Sequence, residues 1–393
     1  MIVRQFLHWL RNAPPGERAE ATGALARAYL YSDLSDSDRA AAEGAMIMLL
    51  DDPSPLVRHA LAEVFATSEH APPHVVHSLA SDQPEIASAI LERSPLFVDT
   101  DLVDVVAAGE PARQVAVAGR AGLPASVCAA IAEVGCAEAC LVMLENADAE
   151  VVPFSLDRIV ERHGHLGVIR ESLLMRDDLS AATRQALVAK LSHTLASFVS
   201  ARAWLDENRA KRVVKEACEK ATNMLAAEAP SSEVRSLVKH LRASGQLTAG
   251  LILRSLFSGN IAMVEEALAD LADMPVARVV GIVHDRRGAG FRALYDKAGL
   301  PGSIYPVFRE ALEAQREDGF VAEAGGPSRL KRRVVERVLT RCEANELGDV
   351  EPLLTLLRRY AAEAAREEAR MFCEDLVSYD DGIDFEVDRR DAA

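Results

Sequence analysis

Aromatic side chains are scarce in this sequence: 11 Phe, 6 Tyr and 2 Trp make up 5% of 393 residues. The apolar half of the composition is therefore carried by Ala, Leu and Val, a mixture that suits closely spaced helices better than a core of large rings. Paired cysteines are missing too. Cys128, Cys136, Cys140, Cys218, Cys342 and Cys373 show no Cys-x-x-Cys spacing and lack the density of a small secreted scaffold, so they read as reduced thiols. No run reaches the roughly 20 uncharged apolar residues that a bilayer-spanning helix needs. The opening stretch MIVRQFLHWLRNAPPGERAE has its apolar run broken by Gln5 and His8 and offers no small-residue cleavage site. A soluble, cytoplasmic protein with no membrane contact is expected. Basic charge is in deficit as well: 44 Lys and Arg against 60 Asp and Glu give a net charge of −16. Phosphate backbones are held by displacing counterions with Lys and Arg, so nucleic acid is a disfavoured partner.

Prolines that open helices organise the region after residue 50. Pro55, Pro84 and Pro111 begin PLVRHALAEVF, PEIASAILERS and PARQVAVAGRA, at steps of 29 and 27 residues. Proline suits the first helical turn because its missing N–H has no intrahelical acceptor there. Five residues after each proline stands Ala60, Ala89 or Ala116, followed by Leu61, Ile90 or Val117, a small contact point beside a large knob. A second series lies between these copies, beginning at Pro73, Thr100 and Pro124, with Val76, Val103 and Val127 three residues in and Leu79, Val106 and Ala130 one turn later. Each period thus holds two short antiparallel helices. Such a unit cannot bury its apolar stripe alone, so neighbours must stack and share a core. Cys140 and Leu141 could continue the small-and-large pair at looser spacing.

Three helical stretches precede the array: IVRQFLHWLR, GERAEATGALARAYL and SDRAAAEGAMIMLL. From about Ser180 the helices lengthen, in ATRQALVAKLSHTLASFV and ENRAKRVVKEACEKATNMLAAEA, and later starts are signalled by SSE at 231, Thr248, Asn260 and Pro275. GGPS at 325–328 reads as a linker or turn before a final helical pair, and SYDDGIDFEVDRRDAA as a frayed acidic tail. The expected architecture is all-α, a HEAT-like α-solenoid of short helix pairs followed by a helical C-terminal region. Its segments are capping helices in 1–50, the array in 51–179, a second helical region in 180–324 and the final pair with its tail in 325–393.

IASAILERSPLFVDTDLVDVV, QVAVAGRAGLPASV, LFSGNIAMVEEALADLADMPVARV and GAGFRALYDKAGLP resemble the bacterial domain-of-unknown-function family 2336, mostly alphaproteobacterial, over about two-thirds of the 393 residues. The resemblance implies a HEAT-like helical fold and a bacterial cytoplasmic protein. It carries no established activity and no catalytic residues to transfer.

Four constellations bear on chemistry. His70, His74 and His77 in HAPPHVVH lie close enough for zinc to be considered, but a site needs three or four converging ligands and the Pro-Pro break separates the first. Capping and surface roles fit them better, and no metal is assigned. Cys136 and Cys140, with Cys128, fall where the repeat wants small buried side chains, and His163 and His165 fall at a helix break. HDRRGAGFRAL at 284–294 could hold an anion but matches neither a Walker loop nor a dinucleotide fingerprint, and reads first as a turn. Arg329, Arg333, Arg337 and Arg341 recur every fourth residue and form a basic stripe along one helix face. That stripe is either a solvated face neutralised by Glu336 and the acidic helix that follows, or a docking face for an acidic or phosphorylated protein segment. The four arginines are the nominated partner contacts.

No Gly-x-Ser-x-Gly elbow, His-Glu-x-x-His helix or P-loop occurs. The expected function is a noncatalytic scaffold or adaptor that binds another protein without a cofactor, with homo-oligomerisation open. The alternatives are a nucleic-acid-binding helical stack and an enzyme with a pocket joining His284 and Asp285, formed between the array and the C-terminal helices.

Overall fold

Proline placement sets where the helices begin. In the computed structural model, which describes residues 8–9, 12–285, 287–288, 290–317, 319, 329–344 and 351–387, every regular element is helical. The chain divides into two compact units, residues 1–179 and 180–393.

The first unit contains α1 (Pro15–Tyr31), α2 (Asp36–Leu49), α3 (Pro55–Phe65), α4 (Pro73–Ala80), α5 (Pro84–Arg93), α6 (Asp99–Ala107), α7 (Pro111–Ala118), α8 (Ala125–Val134), α9 (Ala137–Glu145), α10 (Pro153–His163) and α11 (Gly167–Leu174). Contacts skip one helix at a time. One row runs α1, α3, α5, α7, α9, α11; a second runs α6, α8, α10; α4 packs on α3 and α5. This double row is the arrangement that short helix pairs with shared cores require.

The first proline series holds in the structure. Leu61, Ile90 and Val117 are fully buried beside the half-buried Ala60 and the buried Ala89 and Ala116. The knob stands six residues after the first helical residue, and the same count reaches the fully buried Met143 in α9 and Leu173 in α11. Leu141 is only half-buried, so Met143 is the large residue of that copy. The second series needs a one-residue correction. Helix α6 opens at Asp99, not Thr100, and Pro124 is the cap before Ala125. Counted from the true starts Pro73, Asp99 and Ala125, a step of 26 each time, the third residue onward is Val76, Leu102 or Cys128, all buried. Val103 and Ala130 are half-buried, and Leu102 and Ile131 take their places in the core.

Polar side chains tie one repeat to the next. Arg58 donates to Asp82 at 2.6 and 3.1 Å and to the Asp52 carbonyl at 2.5 Å, while Asp52 accepts from Arg18 at 2.8 and 3.0 Å. Arg113 then donates to the Ser81 and Asp82 carbonyls. Further along, Arg120 donates to the Leu91 and Ser94 carbonyls at the end of α5, and Arg162 to Ala132 and Gly135 at the end of α8. These guanidinium groups occupy carbonyls that a helix C-terminus leaves without intrahelical donors. Gln114, buried, donates to the Val106 carbonyl at 2.8 Å and accepts from the Cys136 N–H at 2.8 Å.

The second unit contains α12 (Ala181–Ala201), α13 (Glu207–Glu228), α14 (Ser231–Ala243), α15 (Ala249–Ser258), α16 (Ile261–Ala272), α17 (Val276–Val283), α18 (Phe291–Lys297), a 3-10 turn (Gly302–Ile304), α19 (Tyr305–Glu317), α20 (Arg332–Ala344) and α21 (Glu351–Val387). Thr248 caps α15 by accepting from the Leu251 N–H and Asn260 caps α16 by accepting from Met263, as their sequence signals predict. Phe257, Tyr295, Phe308 and Tyr360 anchor the core, with Phe257 and Tyr360 edge to face at 6.0 Å. The expected linker at 325–328 lies outside the described residues. Helix α21 continues through Val387, where a frayed tail from Ser378 is expected. Residues 378–387 contain no proline to stop the helix, and a single Gly382 costs it only about 1 kcal/mol. The end of that tail, 388–393, lies outside the described residues.

Candidate interaction surface

Helices α12 and α13 form an antiparallel hairpin, an arm whose base packs on α14 and α15. Ser180 accepts from the Thr183 N–H to start α12, and Asp206 accepts from Asn208 and Arg209 to start α13. Between them the chain reverses through a left-handed Ala203 at φ 54°. There the Ala203 N–H bonds the Ser200 carbonyl and the Trp204 N–H bonds Val199, the double closure that ends many helices. The apolar contact that accompanies such a closure is the edge-to-face pair of Phe198 and Trp204 at 5.7 Å, with the Arg202 guanidinium over both rings.

Burial changes along the arm. Ala181, Thr183, Gln185 and Leu187 at the base are buried, whereas Leu191, Leu195, Phe198, Trp204 and Val213 stay exposed, at 39%, 50%, 45%, 63% and 49%. Single exposed apolar residues are ordinary on protein surfaces, but Leu191, Leu195 and Phe198 recur at helical spacing along one face of α12, and Phe198 touches Trp204 at the turn.

Where the arm meets α14 and α15 there is an open recess of about 420 Å³. Ala189, Ala196 and Val214 line it, the fully buried Leu241 and Leu251 close its inner end, and the exposed Lys211, Lys215 and His193 border it. Cys218 lies in the lining and its thiol is pushed up by burial. It sits 3.9 Å from the Gln246 Oε1 that also accepts from Gln185 at 2.7 Å. A thiol held protonated is a poor nucleophile, so the recess offers shape and charge more than covalent chemistry. Lys211 pairs with Glu207 at 2.5 Å, an exposed i,i+4 pair of the kind worth little in water, and Lys215 approaches the largely buried Glu219 at 3.9 Å.

The arginine stripe is placed differently from a free basic face. Arg333, Arg337 and Arg341 share α20, and Arg329 precedes it. Arg329 approaches Glu367 at 3.9 Å, Arg337 pairs with Glu317, and Arg341 reaches Glu310 at 2.5 Å and Glu313 at 3.9 Å. Arg333 alone of the four is exposed without an ion pair among the described residues. Burial alone would raise the Glu310 carboxyl, but hydrogen bonds from Arg309 and Arg341 hold it below its ordinary value. The stripe thus serves as a seam between α19, α20 and α21. Deeper in the same unit, Arg254 is 3% exposed, donates to both Glu363 oxygens at 2.8 Å and lies over the Tyr360 ring.

The remaining constellations disperse. His74 meets Glu43 at 3.4 Å, His77 stacks edge-on against Phe97 at 4.9 Å, and His70 is exposed. Cys128 and Cys140 are core thiols pushed up to about 11 by burial, and Cys136 caps α9 by accepting from the Ala139 N–H. His163 contacts the Gly135 carbonyl at 3.3 Å. In the 284–294 stretch, His284 reaches Glu265 at 2.9 Å while the Asp285 side chain accepts from the Arg287 N–H, so the two turn to separate neighbours; Arg286 lies outside the described residues. Sequence reasoning missed the arm. Its signal was present in charge: Lys190, Arg202, Arg209, Lys211, Arg212 and Lys215 face only Asp206 and Glu207 between residues 190 and 215, in a chain of net −16.

Together these features define a protein all-helical among the described residues, its first unit packing short helices in two rows and its second carrying an exposed apolar arm, and no helix among the described residues is long and apolar enough to cross a membrane. Residues 86–348 match the model of the family described as "Uncharacterised protein conserved in bacteria (DUF2336)", and the chain belongs to that family. The match begins in α5 and ends beyond α20, so it includes the arm. No curated protein and no solved structure matches the chain.

Proposed function

We propose that this protein is a noncatalytic scaffold or adaptor of the bacterial cytoplasm that binds another protein through the α12–α13 arm. One observation carries the reading. Leu191, Leu195, Phe198 and Trp204 stand on a hairpin whose base is buried, yet remain exposed. Aromatic and aliphatic anchors fixed on a rigid element supply most of the energy of protein interfaces, because little side-chain entropy is lost when they are covered. The ion-paired arginine stripe has its charge occupied already and supports the reading less, leaving Arg333 as the one residue of the four open to a partner.

Capture of partners from bacterial lysate tests this with three forms of the full chain. Leu195→Asp with Phe198→Asp is expected to lose partners that the intact chain recovers, whereas Arg333→Glu with Arg337→Glu is expected to keep them. Equal recovery by all three forms contradicts an arm-based scaffold.

A further inference from the structure

We infer that the outer end of α21, residues 372–387, is a docking helix for a basic amphipathic helix of another protein. That partner covers a stripe formed by Phe372, Leu376, Tyr379 and Ile383 and sets cations against Asp375 and Asp380. This surface is separate from the arm.

Leu357, Tyr360 and Ala364 seat α21 in the core of the second unit, and Glu367 with Lys220 and Arg329, and Glu368 with Arg332, tie it to its neighbours. Beyond Glu368 the helix leaves that support. Ala369, Arg370, Phe372, Cys373 and Glu374 are exposed, Phe372 at 65%, and Met371 is half-buried. The apolar register changes at the same point. Phe372, Leu376, Tyr379 and Ile383 are spaced by four, three and four residues, the seam spacing of a two-stranded coiled coil. Their register lies about 100° round the helix from Met371, so it is not a continuation of the face that packs on the core.

The chemistry of this end selects its occupant. Val377, Ser378, Asp380, Asp381, Gly382 and Ile383 are poor helix formers, so a helix here depends on covering its stripe rather than on propensity. Between 371 and 387 stand Glu374, Asp375, Asp380, Asp381, Asp384 and Glu386 with no Lys or Arg, and residues 388–391 add two of each sign. Asp384 and Glu386 fall in the last turn, at the negative end of the helix dipole, where nearby cations are stabilising. Asp375 and Asp380 flank the stripe on its two sides, the positions through which coiled-coil partners exchange charges. A second copy would set Asp375 against Asp380 when parallel and, over 371–387, carboxylate against carboxylate when antiparallel. The phosphates of a nucleic acid or an anionic bilayer meet the same repulsion. A helix with Leu along its seam and Lys or Arg on both flanks satisfies stripe, dipole and flanks together.

The test is binding of a fluorescein-labelled peptide of about 21 residues, three heptads with Leu at the seam and Lys on both flanks, to the full chain. Saturable binding is expected. Leu376→Asp with Ile383→Asp should weaken it at least about tenfold, although it adds negative charge. Asp375→Lys with Asp380→Lys should exchange the preference, losing the Lys peptide and gaining one with Glu on its flanks. Leu195→Asp with Phe198→Asp should leave peptide binding unchanged. Five results overturn the inference: no saturable binding of the Lys peptide; equal binding by the chain carrying Leu376→Asp with Ile383→Asp, which would show attraction to an acidic molecule at large; a lowered thermal midpoint in that variant, which would place the stripe in the chain's own core; no exchange of preference in the lysine variant; or dimers in sedimentation that Leu376→Asp abolishes. Each of these leaves the arm reading standing, because partners that depend on Leu195 and Phe198 are measured separately.

Discussion

The two units of this chain solve the same problem by different means. In the first, polar side chains bridge repeats by bonding to backbone carbonyls or to one aspartate per turn of the ladder: Arg58 to Asp82 and the Asp52 carbonyl, Arg120 to α5, Arg162 to α8. Apart from the local bond to the Asp52 carbonyl, these bonds span 24 to 30 residues, close to the repeat length. In the second, ion pairs such as Arg254 with Glu363 and Lys220 with Glu367 join helices more than 100 residues apart in sequence, and an arm is left partly uncovered. Periodic satisfaction yields a stack that can be extended; singular satisfaction yields one closed packing with a surface to spare.

The largest expected effect breaks the singular side. Arg254→Ala removes the nearer of the two cations, Arg254 and Lys220, that hold the half-buried Glu363 carboxyl below its ordinary value where burial would raise it. Removing one partner of a buried pair costs about 3–5 kcal/mol, so denaturant unfolding followed by circular dichroism should shift strongly to lower denaturant. Arg254→Met with Glu363→Leu should recover much of that loss, because both charges leave together.

On the periodic side, Gln114→Ala leaves the Cys136 N–H without its acceptor and takes one donor from the Val106 carbonyl, which keeps the Gly109 N–H. A cost of about 1–3 kcal/mol is expected in chemical denaturation, with hydrogen-exchange protection lost first around Val106 and Cys136.

The aspartate ladder sets a pH dependence. Burial alone would raise Asp52 and Asp82, but hydrogen bonds from Arg18 and from Arg58, with the Ser54 and Gln83 N–H groups, hold both below 3.8. A depressed folded value means the stabilisation is complete above the unfolded carboxylate range and is lost as pH falls through the folded value. Thermal midpoints between pH 7 and 2, read by circular dichroism, should therefore drop less steeply on the acid side for Asp52→Asn with Asp82→Asn than for the unaltered chain.

The smallest effect sharpens the arm. Ala203 holds a left-handed conformation that costs a residue with a Cβ about 1–2 kcal/mol, so Ala203→Gly should raise stability by up to about 1 kcal/mol while leaving the Trp204 emission maximum unchanged.

What could be read in the sequence follows the same division. Proline at a first helical position marks Pro55, Pro84 and Pro111 directly, and the buried knobs Leu61, Ile90 and Val117 follow from a fixed count. The second series slipped by one residue because only Pro73 marks a true start there; Asp99 has no such flag, and Pro124 stands just outside its helix. The arginine spacing of the stripe was legible, but its partners were not. Glu310, Glu313 and Glu317 lie on α19 and Glu367 on α21, and no local period records which helices come together. The arm's apolar residues have ordinary helical spacing, which cannot distinguish a core face from one that continues past the neighbours meant to cover it.

Hydrogen exchange on Ile90→Ala tests the stacked core most directly. Ile90 is fully buried in α5, and α5 packs on α3 and α7. Helices that share a core only with near neighbours predict protection lost most in α3, α4, α5 and α7, and progressively less in α9 and α11. An equal loss across all eleven helices of the first unit would show a single undivided core and contradict the stack.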